Sequence, residues 1–138
     1  EMDDRNDLPL DLALRTRQDS IAKSLIKHSV EINKIDSDGL SLLHKAIQRD
    51  DSYAAQFLVE NNISINLQSN REDKSRTALM YLAENSNISD DMLNLVKKML
   101  NSSSNINVNL QNIEGNTSLH IAIKFRNKSV FKEILLNR

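Results

Sequence analysis

Apolar residues recur along this chain in pairs of helical patterns, one short and one longer. The short phrases begin at Leu8, Ser41, Thr77 and Thr117 and read LPLDLA, SLLHKA, TALMYLA and TSLHIA. A longer amphipathic run follows each of them: DSIAKSLIKHS, DSYAAQFLVENN, SDDMLNLVKKMLNS and KSVFKEILLNR. Because apolar residues three or four positions apart share one face of a helix, each phrase and each run predicts a helix.

The short phrase recurs at intervals of 33, 36 and 40 residues, which divides the chain into units at about 4–35, 36–68, 69–111 and 112–138. An extended stretch follows three of the long runs, with an asparagine at a matching place in each: Asn33, Asn66 and Asn109. One helix pair cannot bury its apolar stripe alone, whereas stacked pairs share a continuous core. The pattern therefore predicts a single domain of stacked helical units.

Both glycines of the chain, Gly39 and Gly115, lie in the same local frame, within DSDGLSLLHKAI and NIEGNTSLHIAI. Glycine enters the left-handed backbone region without steric cost, so each copy predicts a tight turn before a helix. In the third unit Ser75 stands where the glycine would be, and the approach loop SNREDKSR is lengthened.

The period near 33 residues, the phrase similar to TPLHxA and the turn before it together resemble the ankyrin repeat. The second and fourth copies match best, while the third departs at Met80 and Leu82. The resemblance implies an all-α fold: an ankyrin-repeat solenoid of about four helix-turn-helix units with short hairpin fingers. In that fold the first helix of each unit lines a concave face.

The phrase DSDGLSLLHKAIQRDDSYAAQFLVENN and the lengthened third unit resemble the ankyrin array of rabankyrin-type endosomal proteins, which also carry a BTB domain and a FYVE zinc finger. Neither domain lies in this chain, so the resemblance implies a fragment of a longer array. It also implies a Rab GTPase effector in early endosomal and macropinocytic trafficking. We expect an intracellular, cytoplasmic location, with recruitment to endosomes through domains outside this fragment.

Composition removes several function classes. The chain of 138 residues has no cysteine, which excludes disulfides, thiolate metal sites and a cysteine nucleophile. Its net charge of −1 gives no general attraction for nucleic acid or anionic membranes. No apolar run approaches the roughly 20 residues that span a bilayer, and the acidic start EMDDRNDLPL is unlike a signal peptide. We expect neither nucleic-acid binding nor direct membrane insertion.

Histidines and paired aspartates are the only candidates for catalysis or metal binding. His44 and His120 occupy one repeat position in different units, so they cannot converge on one metal; we expect each to be buried and bonded to Ser41 or Thr117. His28 ends a helix. Second helices are preceded by Asp50–Asp51 and Asp90–Asp91, and capping serines are expected at or near Ser20, Ser89 and Ser129. We therefore expect no catalytic residue, no metal and no cofactor.

The leading function that the resemblance implies is a non-catalytic protein–protein interaction module; the alternative is a structural spacer without a partner of its own, and an enzyme is disfavoured. Ankyrin ligands usually meet the finger tips and the outward residues of the first helices. On this chain the matching positions are Ser37, Asp38, Leu40, Gln48, Arg49, Lys74, Arg76, Glu84, Asn85, Ile113, Glu114, Asn116, Lys124 and Phe125.

The last predicted helix, VFKEILLNR, is more apolar than the outer face of a terminal repeat normally is. Its apolar residues are Val130, Phe131, Ile134, Leu135 and Leu136. We therefore expect the array to continue beyond Arg138 in the parent protein, and the isolated fragment to self-associate through this terminal repeat.

Overall fold

A computed structural model describes residues 9–28, 32–101 and 106–136 of the chain. The described residues form helices and connecting turns without a β-strand, so the predicted all-α ankyrin solenoid is confirmed. Four helix pairs follow one another: α1 (Pro9–Arg15) with α2 (Asp19–Lys27), α3 (Leu42–Gln48) with α4 (Ser52–Glu60), α5 (Ala78–Glu84) with α6 (Asp90–Leu100), and α7 (Ser118–Lys124) with α8 (Lys128–Leu136). We call these pairs the first to fourth units.

The helices lie in two layers. Along the first layer α3 lies beside α5, and α5 lies beside α7. In the second layer α4 lies beside α6, and α6 lies beside α8. One hydrophobic core runs through all four units between the layers, built mainly from leucine, isoleucine and alanine. Stacking thus buries the apolar stripe that one helix pair alone would leave exposed.

Short polar side chains begin the first helices of the last three units. Ser41, Thr77 and Thr117 each accept a hydrogen bond from the backbone N–H three residues later, which satisfies a donor that the helix itself leaves free. In turn, the side chain of that later residue accepts a hydrogen bond from the backbone N–H of the capping residue. In the third unit the returning group is the sulfur of Met80, 3.4 Å from the Thr77 nitrogen, instead of a histidine nitrogen.

The second helices begin differently from one another. The carboxylate of Asp51 accepts from the Ala54 N–H, and the Ser89 hydroxyl accepts from the Met92 N–H, both as expected. The expectation was wrong for the other two serines. Residue 18 precedes α2 without a capping side chain, and Ser20 lies inside the helix. In the fourth unit Asn127 caps α8 by accepting from the Val130 N–H at 3.2 Å, and Ser129 lies two residues after this cap.

Matching asparagines connect successive units. Asn33 Oδ1 accepts from the Ser64 N–H at 2.7 Å, and Asn66 Oδ1 accepts from the Asn107 N–H at 2.7 Å. In both bonds the donor lies two residues before the next asparagine of the series, so the pattern extends from one unit to the following one. We call these bonds the asparagine series; Asn109 is its next member along the chain.

Candidate functional site

The finger tips are tight turns held by one acceptor side chain. In the second unit Asp36 Oδ1 accepts from the N–H groups of Asp38 and Leu40, at 2.9 and 3.1 Å. Asn112 Oδ1 holds the fourth-unit tip in the same way, through the N–H groups of Glu114 and Asn116. Short polar side chains with this reach are what such turns require.

The turn also explains why the two glycines share one frame. Gly39 and Gly115 have φ angles of 78° and 83°, and Ser75 at the corresponding place has a φ angle of 54°. Successive fingers touch through backbone hydrogen bonds: the Asn70 N–H donates to the Gly39 carbonyl, and the Ile113 N–H donates to the Lys74 carbonyl. The fingers therefore form one continuous edge of the molecule.

The third finger is enlarged by an inserted loop, residues 70–76, which contains a short 3₁₀ helix at Arg71–Asp73. The loop folds back on the first helix of its own unit. Arg76 makes ion pairs with Asp73 at 2.7 Å and with Glu84 at 2.8 Å, and its guanidinium lies 4.3 Å from the ring centre of Tyr81. The Tyr81 hydroxyl donates a hydrogen bond to the second oxygen of Asp73.

Electrostatics follow this packing. Burial raises the pKa of Asp73, but hydrogen bonds from Arg76 and Tyr81 more than offset it and leave the pKa below its ordinary value. Burial raises the pKa of Tyr81, and its bond to Asp73 raises that pKa further. These groups therefore stay in the states that pair them: a carboxylate, a guanidinium and a neutral phenol. The cluster holds the inserted loop against α5. None of its groups would exchange a proton near neutral pH.

Two expected binding residues of the second unit also bond within the fold. Gln48 Nε2 lies 3.3 Å from the Tyr81 hydroxyl. Arg49 makes ion pairs with Asp11 of the first unit at 3.4 Å and with Asp51 at 3.5 Å. Their side chains thus serve contacts between units, as those of Arg76 and Glu84 serve the inserted loop.

The fourth unit differs, because two apolar side chains of the expected set are open there. Ile113 at the finger tip is 43% exposed, and Phe125 at the end of α7 is 42% exposed. Glu114 and Lys124 beside them in sequence are exposed as well. The remaining expected residues vary in exposure: Ser37, Asp38, Lys74 and Asn85 are exposed, whereas Leu40 and Asn116 are half-buried.

The histidines are bonded as expected, but only one of the pair is buried. His44 Nδ1 lies 2.9 Å from the Ser41 hydroxyl, and His120 Nδ1 lies 2.8 Å from the Thr117 hydroxyl. His44 is 1% exposed, and burial lowers its pKa to about 4. His120 is exposed, so the expectation of a buried group was wrong there. The following unit covers His44, whereas none of the described residues covers His120.

Sequence reasoning missed the residues that join the units. Asn127 is buried and donates from Nδ2 to the carbonyls of Leu82, Ala83 and Asn85, at 3.1, 3.1 and 2.8 Å. It thereby binds three carbonyls around the C-terminal end of α5, where carbonyls have few partners within a helix; the Leu82 carbonyl also accepts from the Asn85 N–H. Tyr81 was missed as well. The clue was an aromatic residue in a short helix that follows a charged insertion.

No group of three potential metal ligands occurs among residues 9–28, 32–101 and 106–136. In the same part of the chain no helix is long and apolar enough to cross a membrane. A groove of about 260 Å³ opens at the fourth unit, lined by Ala122, Ile123, Arg126, Asn127, Lys128 and Phe131.

Comparison with known proteins gives a consistent answer. A family model for ankyrin repeats in three copies matches residues 1–69, half of the chain. Rabankyrin-5 of Mus musculus and Rabankyrin-5 of Homo sapiens are each 35% identical to the chain over 137 residues, which is 98% of this chain and 12% of each relative. The chain thus spans about an eighth of the length of these relatives.

Among solved structures, an ankyrin repeat domain from Acinetobacter baumannii superposes with a TM-score of 0.79. It is 20% identical, and the match covers 98% of this chain and 66% of that one, which supports the fold. The similarity to Rabankyrin-5 supports the narrower resemblance to a rabankyrin-type array. The chain belongs to the ankyrin-repeat family, whose stacked units are a protein–protein interaction fold.

Proposed function

We propose that this chain is a non-catalytic recognition segment of a Rab GTPase effector that acts in early endosomal trafficking. The observation that carries the recognition role is the open pair Ile113 and Phe125 in the fourth unit. We place the centre of the partner-binding surface there, on the concave side of the array, with Glu114 and Lys124 at its rim.

The physical basis is the way that interfaces concentrate their energy. A few buried aromatic or aliphatic anchors carry most of the binding free energy, and a polar rim keeps water away from them. Ile113 and Phe125 are large apolar side chains that the fold itself leaves more than two-fifths exposed. A rigid repeat scaffold loses little conformational entropy on binding. Most of the free energy gained by burying such anchors is therefore available for affinity.

The Rab assignment rests on the similarity to Rabankyrin-5 over nearly the whole chain. Because the chain is only 12% of those relatives, another segment of the parent protein could carry the contact with the GTPase itself. The proposal therefore has two separable parts: membership in a nucleotide-dependent Rab effector, and a partner-binding role for the fourth unit.

For the Rab part, the full-length parent protein is tested against purified early-endosomal Rab GTPases, each loaded with a GTP analogue or with GDP. We expect binding to at least one GTP-loaded form and none to its GDP-loaded form. Equal binding to both forms, or binding to neither, contradicts an effector role.

For the surface part, the double variant Ile113→Ala/Phe125→Ala is compared with Leu12→Ala/Ile21→Ala, which removes two apolar side chains of similar exposure from the first unit. The probes are protein partners recovered with the parent protein and then purified. We expect the fourth-unit variant to weaken binding by about tenfold or more, with an unchanged melting temperature, and the control to bind normally. Arg49 is left intact, because its ion pair with Asp11 joins two units.

The alternative, a spacer without a partner of its own, is favoured by one observation: Gln48, Arg49, Arg76 and Glu84 are engaged in contacts within the fold. A spacer predicts that the Ile113→Ala/Phe125→Ala variant of the parent protein keeps all of its partners. That result, with an intact fold, would overturn the recognition role.

A further inference from the structure

One position near the end of each first helix is engaged within the fold in the first three units. It lies seven residues after the start of each short phrase. In the first unit Arg15 pairs with the Asp11 carboxylate at 3.6 Å. In the second unit Gln48 bonds to the Tyr81 hydroxyl, and in the third unit Glu84 pairs with the inserted loop at 2.8 Å. The fold itself therefore uses the side chain at this position in three units.

Lys124 holds the same position in the fourth unit, and its surroundings differ. The side chain is exposed, and it makes no ion pair with any residue in 9–28, 32–101 or 106–136. The residue after it is Phe125, which is 42% exposed, whereas the matching Arg49 of the second unit pairs with Asp11. The fourth unit thus offers an open cation next to an open aromatic ring.

The charge of the units differs in the same direction. Among the described residues, the first three units carry equal numbers of acidic and basic side chains. Residues 112–136 of the fourth unit carry four cations and two carboxylates: Lys124, Arg126, Lys128 and Lys132 against Glu114 and Glu133. Like charges on one region add to a common potential, which attracts partners of the opposite sign. The fourth unit is therefore the cationic end of an otherwise balanced surface.

We propose that the fourth unit binds an acidic peptide segment of a partner protein, an inference that rests on the proposed function of Ile113 and Phe125 as anchors. An apolar side chain of this segment covers Phe125, and an aspartate or glutamate close to it in the segment pairs with Lys124. The other cations of the unit act over a longer distance, where they raise the rate of encounter with an acidic partner.

The neighbourhood of Lys124 and Phe125 gives this ion pair its weight. An ion pair between two exposed side chains contributes little to binding, because water screens both charges. When a partner covers Phe125, it also removes water from the adjacent ammonium group, and a carboxylate placed there interacts more strongly. The apolar contact and the charge contact therefore reinforce each other, and the pair of residues selects for an acidic group beside an apolar one.

An anionic membrane is the other surface that four cations would attract, and Glu114 disfavours it. This exposed residue follows Ile113 at the finger tip, so a membrane that reached Ile113 would bring its negative charges against a carboxylate. A peptide segment can place a neutral or basic side chain opposite Glu114 and an acidic one opposite Lys124. The charges beside the two anchors therefore favour a peptide.

The test uses a phage-displayed library of random short peptides, selected on the chain. We expect the enriched peptides to share an apolar residue with an aspartate or glutamate close to it. A synthetic copy of one enriched peptide then serves as the probe, and fluorescence anisotropy measures its dissociation constant. The same titration with the variants below identifies the residues that the peptide contacts.

Lys124→Glu should weaken binding of this peptide by about tenfold or more, because it replaces attraction by repulsion. Lys132→Glu makes the same change of charge on α8 and should weaken binding by less than about twofold, since salt screens charges beyond about 8 Å. Replacement of the peptide's acidic residue by lysine should reverse the order, so that Lys124→Glu binds this second peptide more tightly than the original chain does. Glu114→Gln should leave binding of the first peptide equal or stronger.

The outcomes separate this inference from the proposed function. If Ile113→Ala/Phe125→Ala loses the peptide but Lys124→Glu binds it normally, the acidic segment is wrong and the anchors stand. If Ile113→Ala/Phe125→Ala still binds the peptide, the proposed anchors are wrong. A library that yields only neutral or basic peptides, or no peptide that depends on Lys124, also overturns the inference. Binding to phosphatidylserine vesicles that is lost on Lys124→Glu would overturn it too and assign the cation to a membrane.

Discussion

Gly39 and Gly115 share a left-handed backbone conformation, but their surroundings differ. A side chain at Gly39 would overlap the amide group of Asn70 in the inserted loop, whereas a side chain at Gly115 would meet open space. The Asn70 amide is not free to move without loss, because its oxygen accepts from the Asp73 N–H at 3.0 Å. The turn favours glycine in both units. Only at Gly39 does the missing side chain also make room for the inserted loop.

Replacement of each glycine by alanine should separate these two roles. Gly115→Ala should lower the free energy of unfolding by roughly 1–2 kcal/mol, the cost of a left-handed residue with a β-carbon. Gly39→Ala should cost more, since Asn70 must also shift. Urea unfolding of the two variants measures this difference. Equal losses of unfolding free energy would show that the close approach of Asn70 to Gly39 does not affect stability.

His44 couples stability to pH because it is buried as a neutral base. Its pKa is lowered from 6.5 to about 4 in the folded state, so the unfolded chain binds more protons between these two values. Stability from His44 is therefore complete above about pH 6.5 and is lost as the pH falls toward about 4. His120 is exposed and lacks this burial.

The variant His44→Met should flatten the pH dependence of unfolding over that window, since Met80 already fills the matching position of the third unit. Urea midpoints of the variant and the original chain, measured at several pH values from 4 to 7, provide the comparison. An unchanged slope in His44→Met would contradict the burial argument.

At the scale of elements, the inserted loop at residues 70–76 is fixed by charge and by packing together. Arg76 is 17% exposed, pairs with Asp73 and Glu84, and covers the ring of Tyr81. An ion pair at an exposed site contributes little to the free energy of unfolding. The Arg76 guanidinium is mostly buried and also makes hydrogen bonds, which contribute more. The insertion is therefore an ordered part of the finger edge.

Arg76→Ala should lower the free energy of unfolding by roughly 2–3 kcal/mol, because it leaves Asp73 and Glu84 without their shared cation. Arg71→Ala, an exposed arginine of the same loop, should change it by no more than about 0.5 kcal/mol. Thermal or urea unfolding compares the two, and backbone exchange of residues 70–76 reports the loop itself. Similar losses for both arginines would mean that the cluster does not hold the loop.

At the scale of the whole molecule, stacking buries apolar side chains between the units, and among the described residues Ile123 and Leu136 of the fourth unit stay exposed. Val130 and Ile134 of the last helix are buried, Phe131 is half-buried, and Leu135 and Leu136 are exposed. The expected cluster is thus divided: one part belongs to the core, and the other part lies on the surface. Apolar patches of this kind on an isolated domain favour association.

The isolated chain should therefore associate weakly as its concentration rises and bind an apolar fluorescent dye. Ile123→Lys/Leu136→Lys should reduce both effects, whereas Ile21→Lys, on a similarly exposed residue of the first unit, should not. Sedimentation velocity over a concentration series and dye titration are the measurements. A chain that stays monomeric at high concentration and binds no dye contradicts this expectation.

The repeated pattern of apolar residues determined the fold without help from the structure. Turn, cap and helix signals are local, and they recur at the same places in LLHKAI and SLHIAI, so the four helix pairs were predictable. Phe125 and Ile113 were also predictable as outward residues, since their positions in the unit set their direction.

Contacts between residues far apart in sequence were decided only by tertiary structure. Whether a histidine of the repeat is buried depends on the unit stacked upon it, so His44 and His120 differ despite matching phrases. The partners of Arg49, Arg76 and Asn127 lie across a unit boundary or an insertion of irregular length, which no periodicity specifies. Local sequence determines each helix pair. The contribution of a side chain to the free energy of folding depends on the residues that the next unit packs against it.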